Sequence, residues 1–94
     1  MLTLDQRVCP HPELVDTLLD SGEVVLLHLE TKTYYSLNVT GAAIWQGIKA
    51  GLVLQAISQQ LQARYTVTPA HADHSVLALV TELCTQALVQ EVGA

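Results

Sequence analysis

Two histidines near the start of a predicted helix are the residues whose spacing first suggests chemistry. His71 and His74 lie three positions apart with Asp73 between them, so both imidazoles would project from one turn of the helix. Such a pair can bind a metal ion, but a metal site needs at least a third ligand, and neither an HExxH motif nor a CxxC pair accompanies them. We therefore predict no metal site and interpret both histidines as solvent-facing.

The other nucleophiles and bases do not form a catalytic set. His28 falls in a predicted strand and is interpreted as a strand-face residue, because no nucleophile is spaced to use it as a general base. No serine stands in a GxSxG context. Cys9 and Cys84 lack CxxC spacing and follow no secretory signal, so reduced thiols and a cytoplasmic location are expected. The sequence predicts a non-catalytic chain that needs no cofactor.

Composition limits the classes of partner. The chain has 94 residues, half of them hydrophobic, which corresponds to one domain with a core of its own. Its net charge is −5 with only four Lys and Arg residues, and nucleic-acid binding needs more positive charge than that. Its longest apolar runs are shorter than a membrane span. Neither a nucleic acid nor a membrane is expected as a partner.

The first half of the chain has the pattern of strands. Val24–Leu29 is almost continuously apolar and predicts a buried central strand, and Tyr34–Leu37 predicts an edge strand. Glu13–Asp20 fits either a helical stripe or a strand that leads into a turn at Gly22, and the local pattern leans slightly to helix.

The second half has the pattern of helices. Asn38 can cap a first helix over about Val39–Ala50, and Gly51 is a suitable residue to end it. A second helix is predicted over about Leu54–Tyr65, but Val53 stands at its cap position and cannot accept a hydrogen bond there, which should cost about 1 kcal/mol.

The third helix carries more apolar residues than a surface helix needs. Thr68 and Pro69 predict its start, and the periodicity extends to about Val89. The predicted core stripe comprises Val76, Leu79, Val80, Leu83 and Ala87. A second stripe beside it comprises Leu77, Cys84 and Leu88. The excess indicates either deep burial or a surface for a partner.

The joint between the last strand and the first helix resembles a known family. Residues 34–45 read YYSLNVTGAAIW, which is similar to the signature of PqqD-like leader-peptide recognition domains, with Gly41, Ile44 and Trp45 at matching positions. The resemblance covers residues 13–92 and leaves residues 1–12 as an N-terminal arm, which is expected to be partly flexible. It implies an α+β, winged-helix-like fold, a three-stranded antiparallel sheet followed by three helices, in which Glu13–Asp20 is a strand. Trp45 is expected to pack under that sheet.

The resemblance also implies a function. PqqD-like domains bind the leader segment of a ribosomally synthesised precursor peptide by strand addition and present it to a separate modifying or proteolytic enzyme. The chain looks most like the lasso-peptide branch, in which those enzymes are a leader peptidase and a cyclase. An alternative is a precursor chaperone for a radical enzyme in pyrroloquinoline-quinone-type biosynthesis. The peptide-binding residues predicted on this basis are Tyr34, Tyr35, Ser36, Leu37, Leu77, Val80, Thr81, Cys84 and Leu88.

Two alternatives of other classes stay open, a winged-helix transcription factor and a structural homodimer. The first is disfavoured because Pro69–Val89 contains no Lys or Arg. The second would use the third helix as its seam, so a monomer or a weak homodimer is expected.

Besides Val53, which stands where members often have a threonine or serine cap, three positions depart from the family pattern. Lys32 and Ala87 stand where many members have glycine, and Ser75 stands where many have aspartate. If Lys32 keeps a positive φ, the strain is about 1 kcal/mol. Ala87 is expected to let the third helix run longer.

Overall fold

The computed structural model describes residues 2–92, which form two antiparallel sheets and three helices. The strands are β1 (Val8–Pro10), β2 (Leu14–Leu18), β3 (Val24–His28), β4 (Thr33–Leu37) and β5 (Val89–Glu91). The helices are α1 (Val39–Lys49), α2 (Leu54–Arg64) and α3 (Pro69–Thr85). Strands β2, β3 and β4 form a three-stranded sheet in that order, which confirms the predicted α+β class and makes β4 an edge strand.

The ambiguous segment before Gly22 is a strand. Leu14 pairs with His28 and Leu18 pairs with Val24, so β2 and β3 form a hairpin. Gly22 has a φ of 92° in the connecting turn, a conformation that favours glycine. Pairing with β3 thus overrides the weak helical pattern of this segment.

Helix α1 packs its apolar face against the inner face of the three-stranded sheet. Trp45 is only 1% exposed, which confirms its predicted place in the core. Its indole Nε1–H donates to Asp16 Oδ2 at 3.0 Å, and Lys49 Nζ donates to the same oxygen at 2.7 Å. The Lys49 hydrogen bond, followed by the Trp45 hydrogen bond, lowers the pKa of Asp16 below its usual 3.8. One carboxylate therefore ties β2 to α1.

The helix starts follow the predicted cap chemistry. Asn38 Oδ1 accepts from Gly41 N–H at 2.8 Å at the start of α1. Thr68 Oγ1 accepts from His71 N–H at 3.1 Å at the start of α3. Val53 makes no side-chain cap to α2, as predicted.

Residues of the N-terminal segment supply the missing acceptors at the start of α2. Leu54 N–H donates to Gln6 O and Gln55 N–H donates to Leu4 O, both at 2.8 Å. These carbonyls satisfy two of the backbone donors that an uncapped helix leaves unpaired. The segment interpreted from sequence as an arm therefore contacts the start of α2.

Strands β1 and β5 form a second, two-stranded sheet that the sequence analysis did not anticipate. Val8 pairs with Glu91, and Pro10 pairs with Val89. Val8 and Val89 are both buried, so this sheet contributes to the core.

The prediction that α3 runs on to Val89 is wrong, because the helix ends at Thr85. Ala87 has a φ of 60°, and its N–H donates to Cys84 O at 3.0 Å. Leu88 N–H donates to Leu83 O at 2.9 Å, which completes a Schellman motif. Ala87 thus takes the left-handed position that glycine usually occupies, and it ends the helix instead of extending it.

Lys32 is the other residue besides glycine that has a positive φ in the described chain, at 63°. It lies in the turn between β3 and β4, where its N–H donates to His28 O at 2.7 Å. Lys32 therefore adopts the left-handed conformation that glycine would adopt in this turn. The expected backbone strain is present at Lys32.

Candidate functional site

Strand β4 presents an edge with two chemically different faces. Its pairing with β3 places Tyr35 opposite Leu26 and Leu37 opposite Val24, so these two side chains point to the inner face. Tyr34 and Ser36 alternate to the outer face, and Tyr34 is 70% exposed. Because β4 has a partner on one side only, alternate residues direct backbone N–H and C=O groups away from the sheet.

An open cleft of about 420 Å³ runs between this edge and the middle of α3. The strand side comprises Tyr35, Ser36 and Leu37, and the helix side comprises His74, Ser75, Ala78 and Leu79. Residues of the β4–α1 joint, including Gly41 and Ile44, complete the lining. Ser75 and Ala78 have small side chains, which leaves room for a ligand between α3 and β4.

Close packing explains why glycine occupies position 41 in the joint between β4 and α1. A Cβ at this position would lie 3.3 Å from two carbon atoms of the Leu37 side chain. Glycine therefore lets α1 start directly beneath the end of β4, where Leu37 and Ile44 are both buried. The close packing holds the cleft in place at the point where strand becomes helix.

The cleft combines apolar surface with an acidic border. Leu37, Ile44 and Leu79 supply apolar surface. Burial, followed by the charge of Glu82, raises the pKa of Tyr35 above its usual 10.0, so the phenol stays protonated at neutral pH. Unpaired backbone groups beside apolar side chains suit an extended polypeptide better than a small metabolite.

The structure separates the residues predicted for peptide binding into several places. Tyr35, Ser36 and Leu37 line the cleft, and Tyr34 lies on the outer face of the same strand. Val80 and Leu88 are completely buried, so neither has surface to offer a ligand.

The other three predicted helix residues do not line this cleft. Ser58 Oγ of α2 donates to Asp73 Oδ1 at 2.5 Å, and Leu77, one turn after Asp73, lies on the same flank of α3. Thr81 and Cys84 line a separate cleft of about 250 Å³, together with Leu2 and Glu91. Burial, followed by the charge of Glu91, raises the pKa of the Cys84 thiol, so it is a weak nucleophile at neutral pH.

Sequence reasoning missed the helix residues that do face β4, which are His74, Ser75, Ala78 and Leu79. Leu79 was assigned to the core stripe, but it is only partly buried, whereas Val76, Val80 and Leu83 form the buried stripe. Two apolar residues, Leu77 and Leu79, lie on opposite sides of that stripe. The small residues Ser75 and Ala78 were the available signal, because a groove needs a helix face without bulk.

The histidines do not form a metal site in the described chain. His74 lines the cleft and His71 lies further towards α2. Residues 2–92 contain no group of three or more His, Cys, Asp or Glu side chains that could hold a metal ion. His28 lies buried on the inner face of β3, where Nδ1 accepts from the N–H groups of Glu30 and Thr31.

The helices of the described chain are also too short or too polar to cross a membrane. Among residues 2–92, none meets the length and hydropathy that a bilayer span requires.

Comparisons with known proteins agree on one family. The family model described as coenzyme PQQ synthesis protein D (PqqD) matches residues 23–89. A solved structure of TbiB1 in complex with the TbiA(beta) leader peptide is 27% identical, with a TM-score of 0.84, and the match covers 92% of this chain and 99% of that one. A structure of lasso peptide synthetase B1 complexed with the leader peptide is 30% identical, with a TM-score of 0.81 and coverage of 88% and 96%. No curated protein shows significant similarity to the chain.

Proposed function

This chain belongs to the PqqD family, and from that premise we propose that it is a non-catalytic adaptor that binds the leader segment of a ribosomally synthesised precursor peptide. The observation that carries the proposal is the free edge of β4 facing α3 across an open cleft. Both solved structures described above contain a leader peptide, which supports the same reading.

Strand addition is the binding mode that the edge favours. A leader segment lying antiparallel to β4 would extend the order β2-β3-β4 by one strand. The leader backbone would form hydrogen bonds with the outward-facing N–H and C=O groups of Thr33–Leu37. These bonds would not depend on the leader sequence. A free leader is disordered and loses conformational entropy on binding, so these bonds alone give modest affinity.

Selectivity would come from the side chains that face the cleft. In an added strand, every second leader residue points towards α3, where it would contact Leu79 and the small residues Ser75 and Ala78. Apolar residues at two alternate positions of the leader would suit this surface. Glu82, close enough to raise the pKa of Tyr35, would favour a basic or neutral leader residue at that end.

The lasso-peptide branch is the more specific part of the proposal. It rests on the two matched structures, one of which is described as a lasso peptide synthetase B1. In that branch the chain would present the leader to a separate leader peptidase and a cyclase. The alternative, a precursor chaperone in pyrroloquinoline-quinone-type biosynthesis, rests on the description of the family model.

A pair of leucine substitutions tests the position of the groove. Leu79→Asp puts a charge into the cleft, whereas Leu77→Asp puts the same charge on the α2 flank, and both leucines are partly buried. We expect Leu79→Asp to weaken binding of a fluorescein-labelled leader at least tenfold by anisotropy, because an unpaired charge would face apolar leader side chains. Leu77→Asp should bind the leader with an affinity within about threefold of the parent, provided that circular dichroism shows that the variant is folded.

The opposite order of effects would contradict the proposed groove. Equal affinity for the parent and a folded Leu79→Asp variant would show that the leader does not lie against this face of α3. Incubation of the purified chain with its precursor, followed by mass spectrometry, tests the adaptor role separately. Cleavage or modification that depends on the chain alone would contradict it.

A further inference from the structure

The face of the three-stranded sheet that points away from the helices carries an apolar row. Val15 pairs with Leu27, and Leu27 pairs with Tyr34, so the three side chains lie side by side across β2, β3 and β4. Val15 is 44% exposed, Tyr34 is 70% exposed and Leu29, two residues beyond Leu27, is 40% exposed. We call the surface formed by these four residues the outer sheet face.

The outer sheet face is a continuous apolar surface and not a set of isolated exposed side chains. Val15, Leu27 and Tyr34 belong to three adjacent strands and are in register, and Leu29 follows directly after β3, so the four residues form one continuous patch. A soluble domain that keeps such a patch open generally uses it as an interface. The core does not need it, because the opposite face of the sheet already packs on α1.

The charges near the outer sheet face are mainly acidic. Glu13 lies two residues before Val15, and Glu23 lies four residues before Leu27, so strand alternation places both side chains on the outer face. The two glutamates lie at opposite ends of that face. Leu29 N–H donates to Glu13 O, and Leu19 N–H donates to Glu23 O, which fixes both ends beside the sheet. Lys32, in the turn between β3 and β4, is the basic residue close to this face.

The other basic residues are engaged elsewhere. Lys49 binds Asp16 on the inner side of the sheet, and Arg64 lies over the ring of Tyr65 at the end of α2. The Arg7 side chain lies near Gly51, beyond the end of α1. A partner that matches the outer sheet face therefore has an apolar centre with Lys or Arg at its border.

We propose that the outer sheet face is the docking surface for the separate processing enzyme that acts on the bound precursor, an interaction that rests on the proposed leader-binding function. The face is continuous with the leader-binding edge, because Tyr34 belongs to β4 and lies on its outer side. An enzyme docked there would be next to the peptide without covering the cleft. Two copies of the chain fit the face less well, because each carries a net charge of −5 and acidic residues at both ends of the patch.

Matched double variants separate this surface from the leader site. Val15→Thr/Leu29→Thr removes apolar area from the outer sheet face at two positions outside β4, one in β2 and one directly after β3. Leu18→Thr/Val39→Thr is the control, because these residues are 67% and 47% exposed but Leu18 points to the opposite face of β2. All four side chains are exposed and threonine is well tolerated in strands, so both variants should fold.

Two measurements are made on each variant. Anisotropy with labelled leader reports the leader site, and both double variants should bind within twofold of the parent. The initial rate of leader removal is then measured with a purified leader peptidase that cleaves the precursor, at a subsaturating concentration of the chain. We expect the outer-face variant to lower this rate at least tenfold and the control to leave it within twofold.

The outcomes distinguish the two proposals. A parental cleavage rate for the outer-face variant, with leader binding intact, overturns the docking surface and leaves the leader function standing. Failure of the parent chain itself to bind leader overturns both. Sedimentation velocity provides the remaining outcome: self-association of the parent that the outer-face variant abolishes would assign the surface to a second copy and overturn the proposal.

Discussion

Replacing Ala87 with glycine should stabilise the protein, although the substitution removes a methyl group. Ala87 holds a φ of 60° at the end of α3, in a Schellman motif closed by the Leu88 N–H bond to Leu83 O. A left-handed conformation costs a residue with a Cβ roughly 1–2 kcal/mol, and glycine avoids that strain. Glycine also has more freedom in the unfolded chain, which offsets about 0.5–1 kcal/mol. The net expectation is a gain of about 0.5–1 kcal/mol in the free energy of unfolding.

The same substitution in the body of α3 gives the opposite sign. Ala78 is exposed within the helix, so Ala78→Gly should lower the free energy of unfolding by about 1 kcal/mol. Urea unfolding followed by fluorescence of Trp45, the sole tryptophan, measures both variants. In a domain of this length about 1 kcal/mol corresponds to a change of roughly 4–8 °C in Tm.

A change of stability in the same direction for both variants would contradict the left-handed conformation of Ala87. A loss of stability in Ala87→Gly similar to that in Ala78→Gly would mean that residue 87 has a helical conformation in solution. Helix α3 would then continue towards Val89, and the pairing of β5 with β1 would have to be abandoned.

Three further substitutions test other contacts. Trp45→Ala should cost about 3–5 kcal/mol, because the ring is buried and loses its bond to Asp16, and circular dichroism melting would detect a largely unfolded domain. Lys32→Gly should raise the urea midpoint modestly, since it relieves a φ of 63° in the β3–β4 turn; an unchanged or lower midpoint would contradict this. Asp16 has a lowered pKa, chiefly through Lys49, so its carboxylate stabilises the fold above its usual pKa of 3.8 and loses that effect as pH falls below it. The stability difference between the parent and Asp16→Asn, measured by urea unfolding, should therefore be constant above about pH 5 and should narrow towards about pH 3; a difference that widens on acidification would contradict the assignment.

Local chemistry in the sequence predicted most helix boundaries correctly. Asn38 and Thr68 cap α1 and α3, and the lack of a side-chain cap at Val53 is also observed. These features depend on residues within one turn of each other, so no distant contact needs to be known. The strand character of Leu14–Leu18 was not decided locally, because its pairing with β3 determines it and only the family resemblance indicated that pairing.

The position of the cleft on α3 could not be predicted from the helix itself. Leu77 and Leu79 are both apolar and flank the same buried stripe, so periodicity does not show which of them faces the sheet. The rotation of α3 is set by contacts with other elements, such as the bond between Ser58 and Asp73. The end of α3 was missed for a related reason, since alanine gives no local signal for the left-handed conformation that Ala87 adopts.

The pairing of β1 with β5 has a consequence for the order of folding. Val8 and Glu91 come from nearly opposite ends of the chain, whereas β2, β3 and β4 are joined by short turns. Closing so long a loop costs more chain entropy than forming a hairpin, so the hairpins and helices should form before the terminal strands meet. Hydrogen exchange should accordingly show the amides of β1 and β5 opening before those of β3. The same late step brings Leu4 and Gln6 to the start of α2. The first turn of α2 would therefore gain its backbone acceptors only when β1 pairs with β5.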